Sequence, residues 1–297
     1  MKRARRWVFG LAASVATGSC IEAPARLALI SAPLRAAPLV PQNSAAFELN
    51  GSMTQGGLLR GVVPPRTASL ALDGVPVAVA SDGAFVIAFD RDAGPSAMLV
   101  ATLADGGIVS RALSVAPRAW NISRLSTLPK YPVPPADFAR IRPAELAAIK
   151  AARAASIESE GWRQPFRWPA TGRISTLFGS QRVYANGEAG AYHSGIDIAV
   201  PEGTPVFAPA DGVVMLASDH PFLLEGNLLL VGHGMGVESA FMHLSRILVA
   251  AGQTVTRGQV IAYSGRTGRA TGPHLHWGLR WRGARIDPLL VAGAMPR

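Results

Sequence analysis

Residues 192–200 read YHSGIDIAV, and residues 272–277 read GPHLHW. In the first stretch Ile196, Ile198 and Val200 alternate with small or polar residues, the period of two that gathers side chains on one face of a β-strand. The opposite face then carries His193 and Asp197, an imidazole beside a carboxylate. In the second stretch His274 and His276 share a face, while Leu275 and Trp277 turn the other way into apolar packing. Two strands of this kind describe a half-buried sheet whose open side holds the chemistry. Imidazole and carboxylate are zinc ligands. A lone His/Asp pair is as readily a metal-free hydrogen-bonded pair, but three imidazoles and a carboxylate at these spacings point to one ion. Spacing alone admits both His274 and His276 as ligands. The chain has no H-E-x-x-H, so the helical zinc-peptidase pattern is excluded.

Working outward, all six histidines (His193, His220, His233, His243, His274 and His276) fall in the C-terminal half. From Trp162 onward Gly172, Gly179, Gly195, Gly203 and Gly212 punctuate short apolar runs, and no helical periodicity of useful length appears. This predicts an all-β domain over residues 161–297.

Three blocks in this half, HSGIDIAVPEGTPVFAPADGVV (193–214), GHGMGVESAFMHLS (232–245) and GRTGRATGPHLHWGL (265–279), resemble the LytM/lysostaphin-type peptidoglycan endopeptidases in order, spacing and flanking glycines. The resemblance covers about 130 residues. It implies two antiparallel sheets forming a narrow groove, and a single Zn2+ per chain held by His193, Asp197 and His276. It also implies His274 as a general base off the metal and His243 as a further histidine holding the water or the oxyanion. A peptidoglycan peptide, crosslink or stem, is the implied substrate. His220 and His233 have no counterpart in the pattern, and His233, between two glycines, reads as a turn residue. Gly278 stands where many relatives carry Glu, and Glu238 and Phe241 replace a frequent Thr and Tyr. These departures bear on specificity and leave the ligand set whole. The competing reading is a LytM-fold activator of cell-wall amidases, but such proteins usually lack a zinc residue.

The N-terminal half differs in kind. Residues 45–117 alternate short apolar runs with the turn dipeptides Asp73-Gly74, Asp82-Gly83 and Asp105-Gly106, predicting strands at 75–80, 84–89 and 97–103 in a small β-sandwich. No His, Cys or acidic cluster lies there, so it reads as a binding or spacer module, with an envelope protein as its prospective partner. Residues 118–160 read as a linker: Pro129, Pro132, Pro134, Pro135 and Pro143 interrupt regular structure, and a helix is predicted over 144–158 with Pro143 opening it. The predicted architecture is mostly β: a sandwich, a helical linker and a grooved catalytic domain.

Residues 1–20, MKRARRWVFGLAASVATGSC, have the cationic start, apolar stretch and small residues of an export signal, which predicts a periplasmic or envelope location. Thr17-Gly18-Ser19-Cys20 resembles a lipoprotein box, so lipid anchoring to the membrane at Cys20 is an expectation. Cys20 is the only cysteine, which excludes an intramolecular disulfide and cysteine-rich metal sites. Of the net charge of +10, Lys2, Arg3, Arg5 and Arg6 supply four. The other basic residues are scattered arginines and two lysines, Lys130 and Lys150, without an aromatic stacking motif, which argues against a nucleic-acid partner.

Overall fold

The large alternating runs of the C-terminal half build one eight-stranded sheet. Its strands lie in the order Thr254–Val255, Gly212–Ala217, Asn227–Gly234, Val237–Leu244, Leu275–Trp281, Gly195–Ala199, Arg173–Thr176, with Ala284–Ile286 pairing Leu275–Trp281. Adjacent strands run antiparallel, and the register sets Asp197 opposite His276 and His276 opposite Met242. The period of two sorts the faces. Ile196, Ile198, Phe241, Leu275, Trp277 and Leu279 point into the core, each no more than 1% exposed, where Trp168 meets Trp277 edge to face at 5.5 Å. Asp197, His276 and Gly278 take the other face. A three-stranded sheet of Pro205–Phe207, Val260–Tyr263 and Arg246–Ile247 accompanies it.

The coordinates form a computed structural model describing residues 47–124, 134–183 and 187–296. The leader-like segment 1–20 with Cys20, and the linker prolines Pro129 and Pro132, lie outside the described residues. The described residues belong to one compact unit, Gln42–Arg297.

The N-terminal strands form a three-stranded sheet, Glu48–Gly51, Leu58–Val62 and Ala84–Ala88, and a four-stranded sheet, Val75–Val77, Thr67–Leu72, Ser96–Leu103 and Ile108–Ser114. Leu59, Phe85, Ile87, Leu99 and Leu113 fill the core between them. Asp73 and Gly74 both have positive φ, as the tight turn between Leu72 and Val75 requires. The strand expected over 75–80 stops at Val77.

The linker helix differs from expectation. Helix α1 runs Pro135–Arg153, so Pro143 lies inside it. Pro135 takes the first helical position, where a missing N–H costs nothing. Asp137 in the first turn and Lys150 and Arg153 in the last complement the helix dipole. Pro143 is tolerated because docking holds the helix. Arg142 forks onto Glu225 at 2.6 and 2.7 Å and also reaches Glu145 at 2.9 Å, while Glu145 accepts from the Leu223 amide. Ile149 packs with Phe222, Leu228, Leu230 and Ala240, and Ala240 stands opposite Gly278 in the register. A short second helix, α2, Pro288–Ala292, breaks the all-β expectation; Asp287 caps it by accepting from the Leu289 amide.

Candidate metal centre

His193 sits in the two-residue corner between the strands Ala189–Tyr192 and Gly195–Ala199, and not in a strand as its spacing predicts. The corner still turns its ring onto Asp197. Nε2 of His193 lies 2.9 Å from Asp197 Oδ1, Nδ1 of His276 lies 2.9 Å from the same oxygen, and the two ring nitrogens are 2.9 Å apart. These three residues form the one group among the described residues whose donor atoms converge as a metal site. Gly195 makes room for it: a Cβ there would stand 2.8 Å from Nε2 of His276 and 2.3 Å from the Trp277 carbonyl.

Backbone carbonyls fix the histidine tautomers. Nδ1–H of His193 donates to Leu177 O at 3.2 Å, that of His243 to Thr267 O at 2.8 Å, and that of His274 to Gly272 O at 2.8 Å. Each neutral ring then presents a bare lone pair at Nε2. Nε2 of His274 faces Asp197 Oδ1 at 3.7 Å. The His243 ring centre lies 4.6 Å from that of His274 and 6.3 Å from that of His276. His243 occupies a bulge of its strand at φ 61°, a left-handed conformation rare for a non-glycine residue. Strain of this sort collects at functional sites.

Burial pushes His243 down to about 3, helped by the neighbouring His276 and His274, so it is neutral near pH 7. Burial lowers His276 as well. At Asp197 burial alone would favour the acid, but contacts from His193 and His276 outweigh it and hold the carboxyl well below its usual range. Burial thus disfavours the charged form of His243 and His276, beside an ionised Asp197. With its Nδ1–H donated to Leu177 O, His193 turns Nε2 toward Asp197 Oδ1 and Nδ1 of His276, so the three donor atoms converge on one point. Tetrahedral zinc with bonds of about 2.0–2.1 Å spaces its ligands about 3.3–3.4 Å apart, within a few tenths of an ångström of this triangle. The residues fit a metal ion.

Two histidines stand elsewhere. His220 is exposed and contacts Asp219. His233 is not a turn residue; it lies on the strand Asn227–Gly234, fully buried, with Nδ1–H donating to Asp211 O and Nε2 accepting from Ser239 Oγ. The carbonyls of Leu177, Thr267 and Gly272 escape sequence reasoning because a main-chain acceptor leaves no mark in residue type.

A buried carboxylate and two imidazoles gathered at an antiparallel sheet, with two more imidazoles alongside, define a mostly β protein with a candidate metal site. Comparison with known proteins agrees: the model of peptidase family M23 matches residues 191–288. A crystal structure of a Pseudomonas aeruginosa protein assigned to peptidase M23 superposes with a TM-score of 0.62 at 31% identity, over 82% of this chain and 96% of that one. The chain belongs to peptidase family M23. It is also 44% identical over 117 residues to peptidoglycan DD-endopeptidase ShyA of Vibrio cholerae, covering 39% of this chain and 27% of that protein. With DD-carboxypeptidase/endopeptidase Mpg of Neisseria meningitidis it shares 42% over 124 residues, 42% of this chain and 28% of the other. The match thus spans about a quarter of the length of these curated relatives.

Proposed function

We propose that the chain is a zinc-dependent endopeptidase that hydrolyses peptide crosslinks or stems of bacterial peptidoglycan, with one zinc per chain on His193, Asp197 and His276. The observation that carries this reading is the pairing of a three-ligand triangle with two further imidazoles, His274 and His243, whose Nε2 lone pairs are free. Three protein ligands leave a position open, as hydrolytic zinc sites do and closed structural sites do not. When bound, zinc supplies Lewis acidity toward a scissile carbonyl and an attacking water.

His274 takes the water proton on Nε2, while Gly272 O holds its other nitrogen, and passes that proton to the leaving amine. His243 has the same tautomer, so while neutral it can accept but not donate at Nε2. Of the two tasks the resemblance implies, holding the water is the one open to it. Gly195 and Gly278 carry no side chain beside the His276 ring, while Ala240 lies under Ile149 of α1. The names of ShyA and Mpg support a crosslink between D-amino acids as the bond cut. Such a substrate lies outside the cytoplasmic membrane, in keeping with the leader-like residues 1–20 and Cys20. Among the described residues no helix is long and apolar enough to cross a membrane.

The test is incubation of the purified, metal-analysed chain with peptidoglycan, with and without chelator, and identification of released peptides by mass. Crosslink cleavage that chelator abolishes and zinc restores is expected. A zinc-loaded, folded chain that releases nothing, yet stimulates an amidase, would put the activator reading in its place.

A further inference from the structure

The N-terminal module, which reads in sequence as a binding or spacer module, reaches the candidate metal centre through Arg91. This side chain is only 9% exposed. Its guanidinium lies between two rings, 5.0 Å from the centre of Trp120 and 4.4 Å from that of Tyr192. Arg118 also lies over Trp120 at 4.7 Å and Arg285 over Tyr192 at 4.0 Å, so three guanidiniums share these two rings. Asp90, beside Arg91, closes the frame: it accepts from Tyr192 Oη at 2.8 Å and from Arg285 Nε and Nη2 at 3.0 Å each.

The cluster ends on the metal ligand. Tyr192 directly precedes His193. Nε of Arg91 donates to Gly179 O at 3.1 Å, and the Gly179 amide donates to His193 O at 2.9 Å. The His193 amide donates to Ser180 O at 2.7 Å, and its ring is anchored on Leu177 O. Residues 177–180 therefore grip His193 by main chain and side chain together, and Arg91 is the side chain from the module that grips this loop. Gly179, at φ 76°, permits the approach, since a Cβ there would stand 2.1 Å from the Trp120 ring. Simple adhesion between module and sheet could use any surface. Here the buried guanidinium spends a hydrogen bond on the residue that holds the ligand's main chain.

We infer that Arg91 is a positioning residue for the metal centre: through Gly179 and Tyr192 it fixes the corner that aims Nε2 of His193. The inference rests on His193 being a ligand. Groups that orient ligands from outside the coordination sphere commonly matter about ten- to a hundredfold in metal affinity.

The test uses the full chain loaded with Co2+ in place of zinc, because the visible absorption of Co2+ reports ligand geometry independently of turnover. Arg91→Met should weaken metal binding by about ten- to a hundredfold and change the Co2+ spectrum. Arg91→Lys, which keeps a cation between the rings, should recover part of both. Leu99→Ala, a cavity in the module core away from the loop, should lower Tm and leave affinity and spectrum unchanged. Wild-type affinity and spectrum in Arg91→Met would overturn the inference, as would equal changes in Leu99→Ala. Should Arg91→Met fail to fold, Trp120→Leu beside Arg91 decides: a smaller change in the same direction supports the role, and an unchanged spectrum refutes it. A wild-type chain that binds neither Co2+ nor zinc refutes the ligand assignment itself, a result distinct from the others.

Discussion

His274 and His276 are two residues apart, and spacing gives them equal claims on a metal. The structure separates them by environment: His276 is buried with Nδ1 in the triangle, whereas His274 turns a free Nε2 toward it from 3.7 Å. His276→Ala should lose the metal. His274→Ala should keep metal and fold while losing a factor of roughly 100 to 10,000 in rate, the usual worth of a general base; metal content and turnover measured in parallel check this, and equal metal loss in both variants would make His274 a ligand. His243→Asn should be tolerated by the fold, because Asn accepts a left-handed backbone, yet reduce turnover at least tenfold. His233 gives a separate pH signal. Burial pushes it down to about 4, below the ordinary 6.5, so the unfolded chain takes up this proton first as pH falls. Its stabilising contribution is whole above about pH 6.5 and is lost toward pH 4, a change of a few kcal/mol. Denaturant unfolding of metal-free chain at pH 7 and pH 5 should show that loss, with a flatter response in His233→Gln.

At the scale of elements, helix α1 shows where local rules stop. Pro143 reads as a helix start because proline favours that position; the tertiary contacts of Arg142, Glu145 and Ile149 carry the helix through it. Arg142 and Glu225 are each about 12% exposed, so their pairing is mostly desolvated. Removing one partner leaves an uncompensated carboxylate, a loss of about 3–5 kcal/mol. Arg142→Ala should therefore loosen α1 first, seen as faster hydrogen exchange and earlier proteolysis between residues 135 and 153, while the sheet keeps its protection. Uniform protection in wild type and variant would show that the clasp does not hold the helix. The strands were easier to read. Ile196 and Ile198, or Leu275 and Trp277, announce themselves because alternation is a local consequence of strand geometry.

For the molecule as a whole, metal and fold should be coupled, because ligands drawn from the corner before Gly195, from that strand and from a strand some 80 residues later meet only in the folded chain. Removing the metal should lower Tm, and acid should do the same by placing protons on the ligand nitrogens; scanning calorimetry with and without chelator measures both. Residue type at short spacing was enough to read the β character of both halves, the faces of the two key strands, and the pairs His193/Asp197 and His274/His276, whereas the meeting of the two pairs spans some 80 positions. Only the tertiary structure decided which nitrogen of each imidazole is free, where α1 lies, and that Arg91 touches the loop holding His193. Those outcomes depend on backbone carbonyls, which carry no residue identity, and on contacts such as Arg91 to Gly179, across 88 positions of chain, which no local pattern encodes.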